Sequence, residues 1–248
     1  MKNIRFFEEA AANGHVALNV LQYDGWLLRF SEGYTNRANS VSVLYPSTLD
    51  LSEKIAYCED RYAARGLPCV FKLTDDDREL AEMLEKRGYA VVTPTDVMLC
   101  DLNRLPPSEP ADCVFPEMPE WLPDYLVFDE LTDPRRQDVF RRMLSRVMVD
   151  TIYCTLMHEG KPAACASAAM EQGYMLLQNV VVDPAQRGKG LGKKLCTAIL
   201  SKAKEAGVHH AYLQVVRTNR IAVRLYEKLG FEKIYTYRYL KKQRKEDT

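Results

Sequence analysis

Residues 180–195 read Val-Val-Val-Asp-Pro-Ala-Gln-Arg-Gly-Lys-Gly-Leu-Gly-Lys-Lys-Leu. An apolar run stops at Pro184, and glycines alternate at Gly188, Gly190 and Gly192. A helical pattern follows, with Leu191, Leu195, Ala198 and Ile199 on one face. Backbone N–H groups at such a helix start have no internal partner, and the helix dipole adds partial positive charge there. Glycines let a ligand approach the backbone. Arg187, Lys189, Lys193 and Lys194 add full positive charge. The chemistry that these types and spacings suit is the holding of a phosphate-rich anion.

Spacing decides which anion. A phosphate loop needs G-x-x-x-x-G-K-[ST], but no glycine stands five residues before a Gly-Lys-Ser/Thr, and Lys194 takes the hydroxyl's place. A dinucleotide fingerprint needs G-x-G-x-x-G, whereas these glycines run G-x-G-x-G and residue 193 is lysine. A plain strand-to-helix turn requires neither three glycines nor four cations. Arg187 to Gly192 fits [RQ]-x-x-G-x-[GA] and resembles the acyl-CoA-binding loop of the GNAT superfamily of N-acetyltransferases. Downstream, Asn219-Arg-Ile-Ala-Val-Arg-Leu-Tyr-Glu-Lys-Leu-Gly-Phe231 is similar to that family's N-x-x-A-x-x-x-Y-x-x-x-G-F helix. The resemblance covers residues 150–240.

The resemblance implies acetyl-CoA as co-substrate, without a metal. The N–H groups of Arg187, Gly188, Lys189, Gly190, Leu191, Gly192 and Lys193 would wrap its pyrophosphate. The strand 177–182 would pair its backbone, at Val180 and Val182 and with Val181 between them, with the pantetheine arm. Asn219, Ala222 and Tyr226 share one helix face by steps of three and four residues, and the small Ala222 leaves room for a ligand. Asn219 would bond the pantetheine amides. Tyr226 would protonate the leaving thiolate, since a phenol of reference pKa ~10 matches a thiolate in basicity. The plainer readings are a core strand at 180–182, a packing role for Tyr226 and a helix cap at Asn219. No general base is evident. Gln178 and Asn179 cannot accept a proton, and neither Glu171 nor Glu159, in the turn Met157-His-Glu-Gly-Lys161, has compelling spacing. Water or a residue of the first half would serve.

The 248 residues suffice for one large domain or two small ones, and a hydrophobic content of 47% supplies a core. Charged residues make up 27% and sum to +0, which gives no case for nucleic acid. The basic tail 241–245 reads as a solvated end. Seven cysteines without a C-x-x-C pair suit reduced thiols in the cytoplasm, and Cys196 reads as core. His209 and His210 are adjacent and would point apart, against a metal site. Neither a signal pattern nor a membrane-length apolar run is present.

The elements that position this chemistry occur twice. Met83-Leu-Glu-Lys-Arg-Gly-Tyr89 parallels Leu225-Tyr-Glu-Lys-Leu-Gly-Phe231. Upstream, 42–46 parallels 181–184, the helical stretch 51–65 parallels 191–206, and the strand-like 69–73 parallels 211–216. Each half thus reads strand–helix–strand–helix–strand. The expected fold class is α/β, with tandem GNAT domains, each a mixed, mainly antiparallel sheet flanked by helices. The expected division is a degenerate domain at 1–105, a Pro-rich linker at 106–123 and an acetyl-CoA-binding domain at 124–248. The first half has Asp50 and Glu53 where a pyrophosphate would sit, Leu84 in the place of Tyr226 and Asp77 in that of Asn219. One active site per chain is expected. Trp26, Arg29, Tyr34, Arg37 and Asn39 could line an acceptor pocket; the alternative is a hairpin with Gly33 in its turn and a hydrogen-bonded arginine. The expected function is N-acetylation of a small primary amine by direct attack, in a cytoplasmic monomer or homodimer. The rivals are an acyl-CoA sensor, or an acetyltransferase of protein lysines or N-termini.

Overall fold

The computed structural model describes residues 3–105 and 111–242. Asn3 opens the first helix by accepting the Phe6 N–H at 3.0 Å, the usual work of a short polar side chain before a helix. That helix is α1 (Ile4–Gly14), followed by β1 (Asn19–Tyr23), β2 (Trp26–Phe30), β3 (Val41–Val43), α2 (Leu51–Ala63), β4 (Val70–Thr74), α3 (Arg78–Lys86) and β5 (Tyr89–Asp101). The chain continues through β6 (Cys113–Val114), α4 (Met118–Phe128), α5 (Pro134–Leu144), β7 (Asp150–His158), β8 (Lys161–Glu171) and β9 (Tyr174–Val182). It ends with α6 (Leu191–Glu205), β10 (His210–Val216), α7 (Arg220–Lys228) and β11 (Glu232–Lys242). In the stretch expected as a linker, 106–110 lie outside the described residues, while β6 and the first turns of α4 occupy part of the rest. Residues 243–245 of the basic tail also lie outside the described residues.

The strands form one sheet in the order β1-β2-β3-β4-β11-β5-β10-β9-β8-β7-β6. Pairing is antiparallel except for β3 with β4 and β9 with β10. Apart from β6, the sheet reads the same from both ends, because each half contributes a hairpin, a third strand and a parallel fourth. The final strands are exchanged. β5 pairs with β10, and β11 pairs with β4, while β5 and β11 pair with each other at the centre. The sequence pattern places each final strand with its own half; the structure sets it beside the other half's fourth strand. β5 runs as one strand through Pro94. A bulge with Thr93 at φ 51° bends it without ending it.

Helices cover both faces. On one face α6 and α7 bury Leu195, Cys196, Ile199 and Tyr226 against Leu213, Met175 and Met98. On the same face α2 and α3 bury Ile55, Tyr62 and Leu84 against Trp26 and Phe71. Cys196 is fully buried and burial pushes its thiol up to about 12, so it is core, as its place on the helix's apolar face indicates. On the opposite face α1 crosses the centre, with Phe7 against Tyr212, Tyr235 and Tyr237. Beside it α4 sets Trp121 and Tyr125 against Tyr153 and Cys165. Among the described residues no helix is long and apolar enough to cross a membrane.

α1 is pinned by charge as well as by packing. Glu8 forms an ion pair with Lys72 of β4, the two side chains being 6% and 7% exposed. The Tyr235 hydroxyl donates to the same carboxylate at 2.8 Å, and the Lys72 ammonium lies 4.0 Å above the Tyr237 ring. Removing one member of a buried pair leaves the other charge uncompensated. Glu8→Ala is expected to lower the unfolding free energy by ~3–5 kcal/mol in urea titration. Lys202→Ala, which removes an exposed pair with Glu205, should cost under about 1 kcal/mol.

Candidate active site

The site begins with a fault in β9. Its antiparallel register with β8 runs from Glu171↔Tyr174 to Ser167↔Gln178 and resumes at Cys165↔Val181. Asn179 and Val180 therefore oppose Ala166 alone, which defines a β-bulge. Asn179 has φ 55°, a left-handed conformation that asparagine tolerates better than most residues. Its side-chain amide donates to Ser167 Oγ at 2.8 Å and holds the bulge. On its other edge β9 pairs with β10 from Tyr174↔His210 only to Leu177↔Leu213. Gln178 and Gln214, the next residues of the two strands, stand at the mouth of a split. Beyond it, the edge of β9 at 178–182 has no ladder partner on the β10 side. Unpaired backbone groups there suit a ligand arm carrying amides, which can add as a strand.

The split leads into the glycine loop. Gly190 precedes α6 with φ 77° and Gly188 has φ 82°. A Cβ built at either would meet nothing within 4 Å, so both face open space. Among the described residues no backbone acceptor meets the N–H groups of residues 187–192. The Lys193 and Lys194 N–H groups bond to the Gly190 carbonyl at 3.1 and 3.3 Å and close the first turn of α6. The free amide run therefore ends at Gly192, and Lys193 offers its side chain alone. Arg187 Nε donates to the Val182 carbonyl at 3.3 Å and Lys189 Nζ to Gln186 Oε1 at 2.7 Å. None of Arg187, Lys189, Lys193 and Lys194 forms an ion pair among the described residues. Free amides, left-handed glycines and unpaired cations together make a cradle that fits a pyrophosphate.

The structure brings several of the expected residues together. Val180, Val182 and Ala222 pack against the cluster that contains Tyr226 and Leu191. Gly192 lies close enough that a Cβ there would sit 3.5 Å from both Val182 and Leu225. Val181 points the other way, against the α4 cluster. Asn219 caps α7, accepting the Ala222 N–H at 3.1 Å, so its carbonyl is committed to the helix and its amide N–H groups remain. The Tyr226 side chain is 8% exposed and its ring meets Phe231 edge-on at 5.9 Å. Burial raises its phenol well above the usual tyrosine range, Cys196 adds to this, and the charge of Arg37 opposes it. The phenol is thus a protonated donor at neutral pH. Glu171 and Glu159 lie at the hairpin ends of β8, away from the bulge. Glu171 receives Asn13, and Glu159 sits in a turn with φ 52°.

In the first half the corresponding loop is filled by the chain itself. The Asp24 carboxylate accepts the Thr48 N–H at 2.9 Å, the Thr48 hydroxyl at 2.6 Å and the Leu49 N–H at 3.0 Å. It also pairs at 3.0 Å with Lys54, whose ammonium is fully buried and lies 4.0 Å above the Trp26 ring. These partners, Thr48 first, hold the carboxyl well below the usual range. Asp50 caps α2 through the Ser52 and Glu53 N–H groups at 2.8 and 3.1 Å. The sequence pattern pointed to Asp50 and Glu53; Asp24 reaches the loop from the β1–β2 turn, and neither spacing nor motif marks it. Gly25 permits that approach, since a Cβ there would lie 2.6 Å from the Tyr45 carbonyl.

The expected acceptor residues divide. Trp26 is core. Arg29 is buried and donates to the carbonyls of His15 and, at 2.8 Å, Arg37; burial lowers its pKa to about 10. Asn39 pins its loop by accepting the Ser31 and Gly33 N–H groups at 2.7 and 3.0 Å. The hairpin turn lies at Asp24–Gly25, with φ 41° and 81°, and Gly33 belongs to the loop after β2. The hairpin reading is thus corrected in its turn and upheld in its hydrogen-bonded arginine. Tyr34 and Arg37 remain half-buried on the α1 side of the sheet, Tyr34 stacked at 5.6 Å on Phe140 of α5.

The fold is that of solved GNAT N-acetyltransferase structures. Residues 2–240 match the family described as "Probable histone acetyltransferase Rv0428c C-terminal", and the chain belongs to that family. It is 27% identical over 248 residues to the uncharacterized N-acetyltransferase YobR of Bacillus subtilis, covering 96% of this chain and 98% of that one. A shorter similarity, 36% over 76 residues, links 31% of the chain to 51% of the ribosomal protein bS18-alanine N-acetyltransferase of Escherichia coli. Among solved structures, a GCN5-related N-acetyltransferase from Kribbella flavida superposes with a TM-score of 0.74 at 17% identity, covering 98% and 96% of the two chains. A tandem GNAT protein from the clavulanic acid biosynthesis pathway gives 0.62 at 17% identity, over 82% of this chain and 74% of its own.

Gly190→Asp sets a carboxylate against the cradle and strains a left-handed residue. Calorimetric titration of acetyl-CoA should show affinity reduced on the order of 100-fold or more. Asp24→Ala, which empties the first-half loop, should leave that affinity within about twofold, because the two loops lie on different strands.

Proposed function

We propose that the protein transfers the acetyl group of acetyl-CoA to the primary amine of a small molecule by direct attack in a ternary complex. The observation that carries this reading is the β9–β10 split, which opens at the Asn179 bulge and runs into a loop of free amides. The pantetheine arm would pair with the 178–182 edge, the pyrophosphate would rest on residues 187–192, and Asn219 and Ala222 would border the arm. The N–H groups freed at the bulge suit the oxyanion of the tetrahedral intermediate. Tyr226, protonated by burial, would supply the proton that the departing thiolate takes up.

The first half, taken as residues 1–105, would act as a degenerate partner of the catalytic half, taken as 124–248. Its loop, occupied by Asp24 and Lys54, supports one donor site per chain. Its Tyr34–Asn39 segment packs on α5 on the α1 face and sends the charge of Arg37 as far as Tyr226. A first-half wall on that side favours a small acceptor over a protein chain.

A screen of polyamines, amino acids, aminoglycosides and aminoacyl amides for release of free CoA tests the reading. Turnover with at least one small amine is expected; tight acetyl-CoA binding without any release would favour a sensor instead. Tyr226→Phe should lower turnover about 10²–10⁴-fold with little change in acetyl-CoA affinity.

A further inference from the structure

His15 follows α1 and sits at the mouth of the split. Gln178, the last residue before the bulge, donates from Nε2 to the Gly14 carbonyl at 2.9 Å. A carbonyl can only accept, so this bond fixes the orientation of the Gln178 amide and turns Oε1 toward His15 Nδ1, 3.4 Å away. Oε1 also can only accept, so Nδ1 carries the hydrogen and Nε2 carries the lone pair. His15 is 8% exposed, and Nε2 is buried without a hydrogen-bond partner among the described residues. The backbone under the ring is fixed from the first half, because Arg29 donates to the His15 carbonyl. Across the split, the Gln214 amide nitrogen is likewise buried and unpartnered. Two buried polar groups without partners thus stand on either side of the opening, on the α1 face. Tyr226 lies on the opposite face, with α6 and α7, in the cluster that Val180 and Val182 pack against.

We infer that His15 Nε2 is the group that takes the proton from the attacking amine. The inference rests on the acetyl-transfer reading above. In the step, the amine nitrogen bonds to the thioester carbon and its proton passes to His15 Nε2. The carbon–sulfur bond then breaks, and the thiolate takes the Tyr226 proton. The imidazolium and phenolate return to their starting forms by proton exchange through water. The groups around the ring suit this role. Burial first, then Arg37, Arg29 and Lys72, lower the imidazole pKa well below its usual value, while Gln178 opposes them. Glu8 of α1 is taken up by Lys72 and Tyr235, Glu171 of β8 by Asn13, and Arg146, just beyond α5, by the Leu18 carbonyl. Burial raises the Tyr235 and Tyr239 phenols of β11, so both stay neutral. A folded-state pKa below the usual value means that the lone pair is free through neutral pH and is lost only in acid. The same cations disfavour an ammonium ion, so an amine entering here is held uncharged.

The test uses the full-length protein with the panel amine that gives the highest turnover. His15→Gln and His15→Ala should reduce turnover about 10²–10³-fold near neutral pH, with acetyl-CoA affinity unchanged by calorimetry. The ratio of wild-type to His15→Gln rates cancels the acceptor's own ionisation. It should shrink in alkali, where hydroxide substitutes for the base, and in acid, where His15 is protonated. A ratio near one, or one that is constant with pH, overturns the assignment. Long-range ¹H–¹⁵N spectra of imidazole-labelled protein, assigned by loss of the signal in His15→Gln, should show a protonated Nδ1 and a bare Nε2 at neutral pH. A protonated Nε2 overturns the assignment whichever amine is used. Failure of the wild-type protein to bind acetyl-CoA would instead sink the acetyl-transfer reading itself.

Discussion

The split between β9 and β10 is the constraint on which the site depends, and the left-handed turn of Asn179 makes it. A strand in regular register would continue its parallel ladder past Leu177 and Leu213 and satisfy its own amides. One extra residue opposite Ala166 ends that ladder. The backbone cost of a left-handed, non-glycine residue is offset by the Asn179 bond to Ser167 and by burial of Val180, Val181 and Val182 on alternate faces. What remains is an unpaired edge in the middle of a large sheet, which would be a liability at the sheet's rim but serves as a slot here. Two further elements extend the slot: a loop with free amides at its far end, and α7, capped by Asn219, which carries Tyr226 to its side.

The exchange of final strands gives the slot its rigidity and its second wall. β5 pairs along most of its length with both β10 and β11, so the halves share one sheet rather than a surface contact. α1 lies across that sheet, tied to β4 and β11 by the Glu8–Lys72–Tyr235 cluster and to β9 by Gln178. Residues of the first half, His15 and Arg37 among them, are therefore held against the second half by backbone pairing and buried charge. The first half has a matching scaffold, and its loop is closed upon Asp24 and Lys54. An internal carboxylate satisfies the same N–H groups that a phosphate would, and it needs no ligand.

Much of this was legible in the residues. The alternating Gly188, Gly190 and Gly192, the cations around them and the face shared by Asn219, Ala222 and Tyr226 are local signals, set within a few turns of helix. The helical stretches 51–65 and 191–206, the helix endings before Tyr89 and Phe231 and the strand segments between them were likewise readable, because caps and periodicity act over short distances. The bulge was harder. Asn179 is a polar residue in an apolar strand, and its meaning depends on Ser167 of a neighbouring strand. Asp24 and His15 carried no local mark, since each meets groups distant in the chain.

The sequence by itself determined the family and the repeated strand–helix–strand–helix–strand pattern, and it marked the glycine loop and Tyr226 as candidates, because glycine freedom, helical spacing and charge are properties of short segments. The tertiary structure alone decided where the final strands go, which carboxylate fills the first loop, and that His15 stands beside Gln178 at the split. Those outcomes rest on hydrogen-bond register and buried pairing between residues far apart in the chain, where the identity of a residue does not reveal its partner.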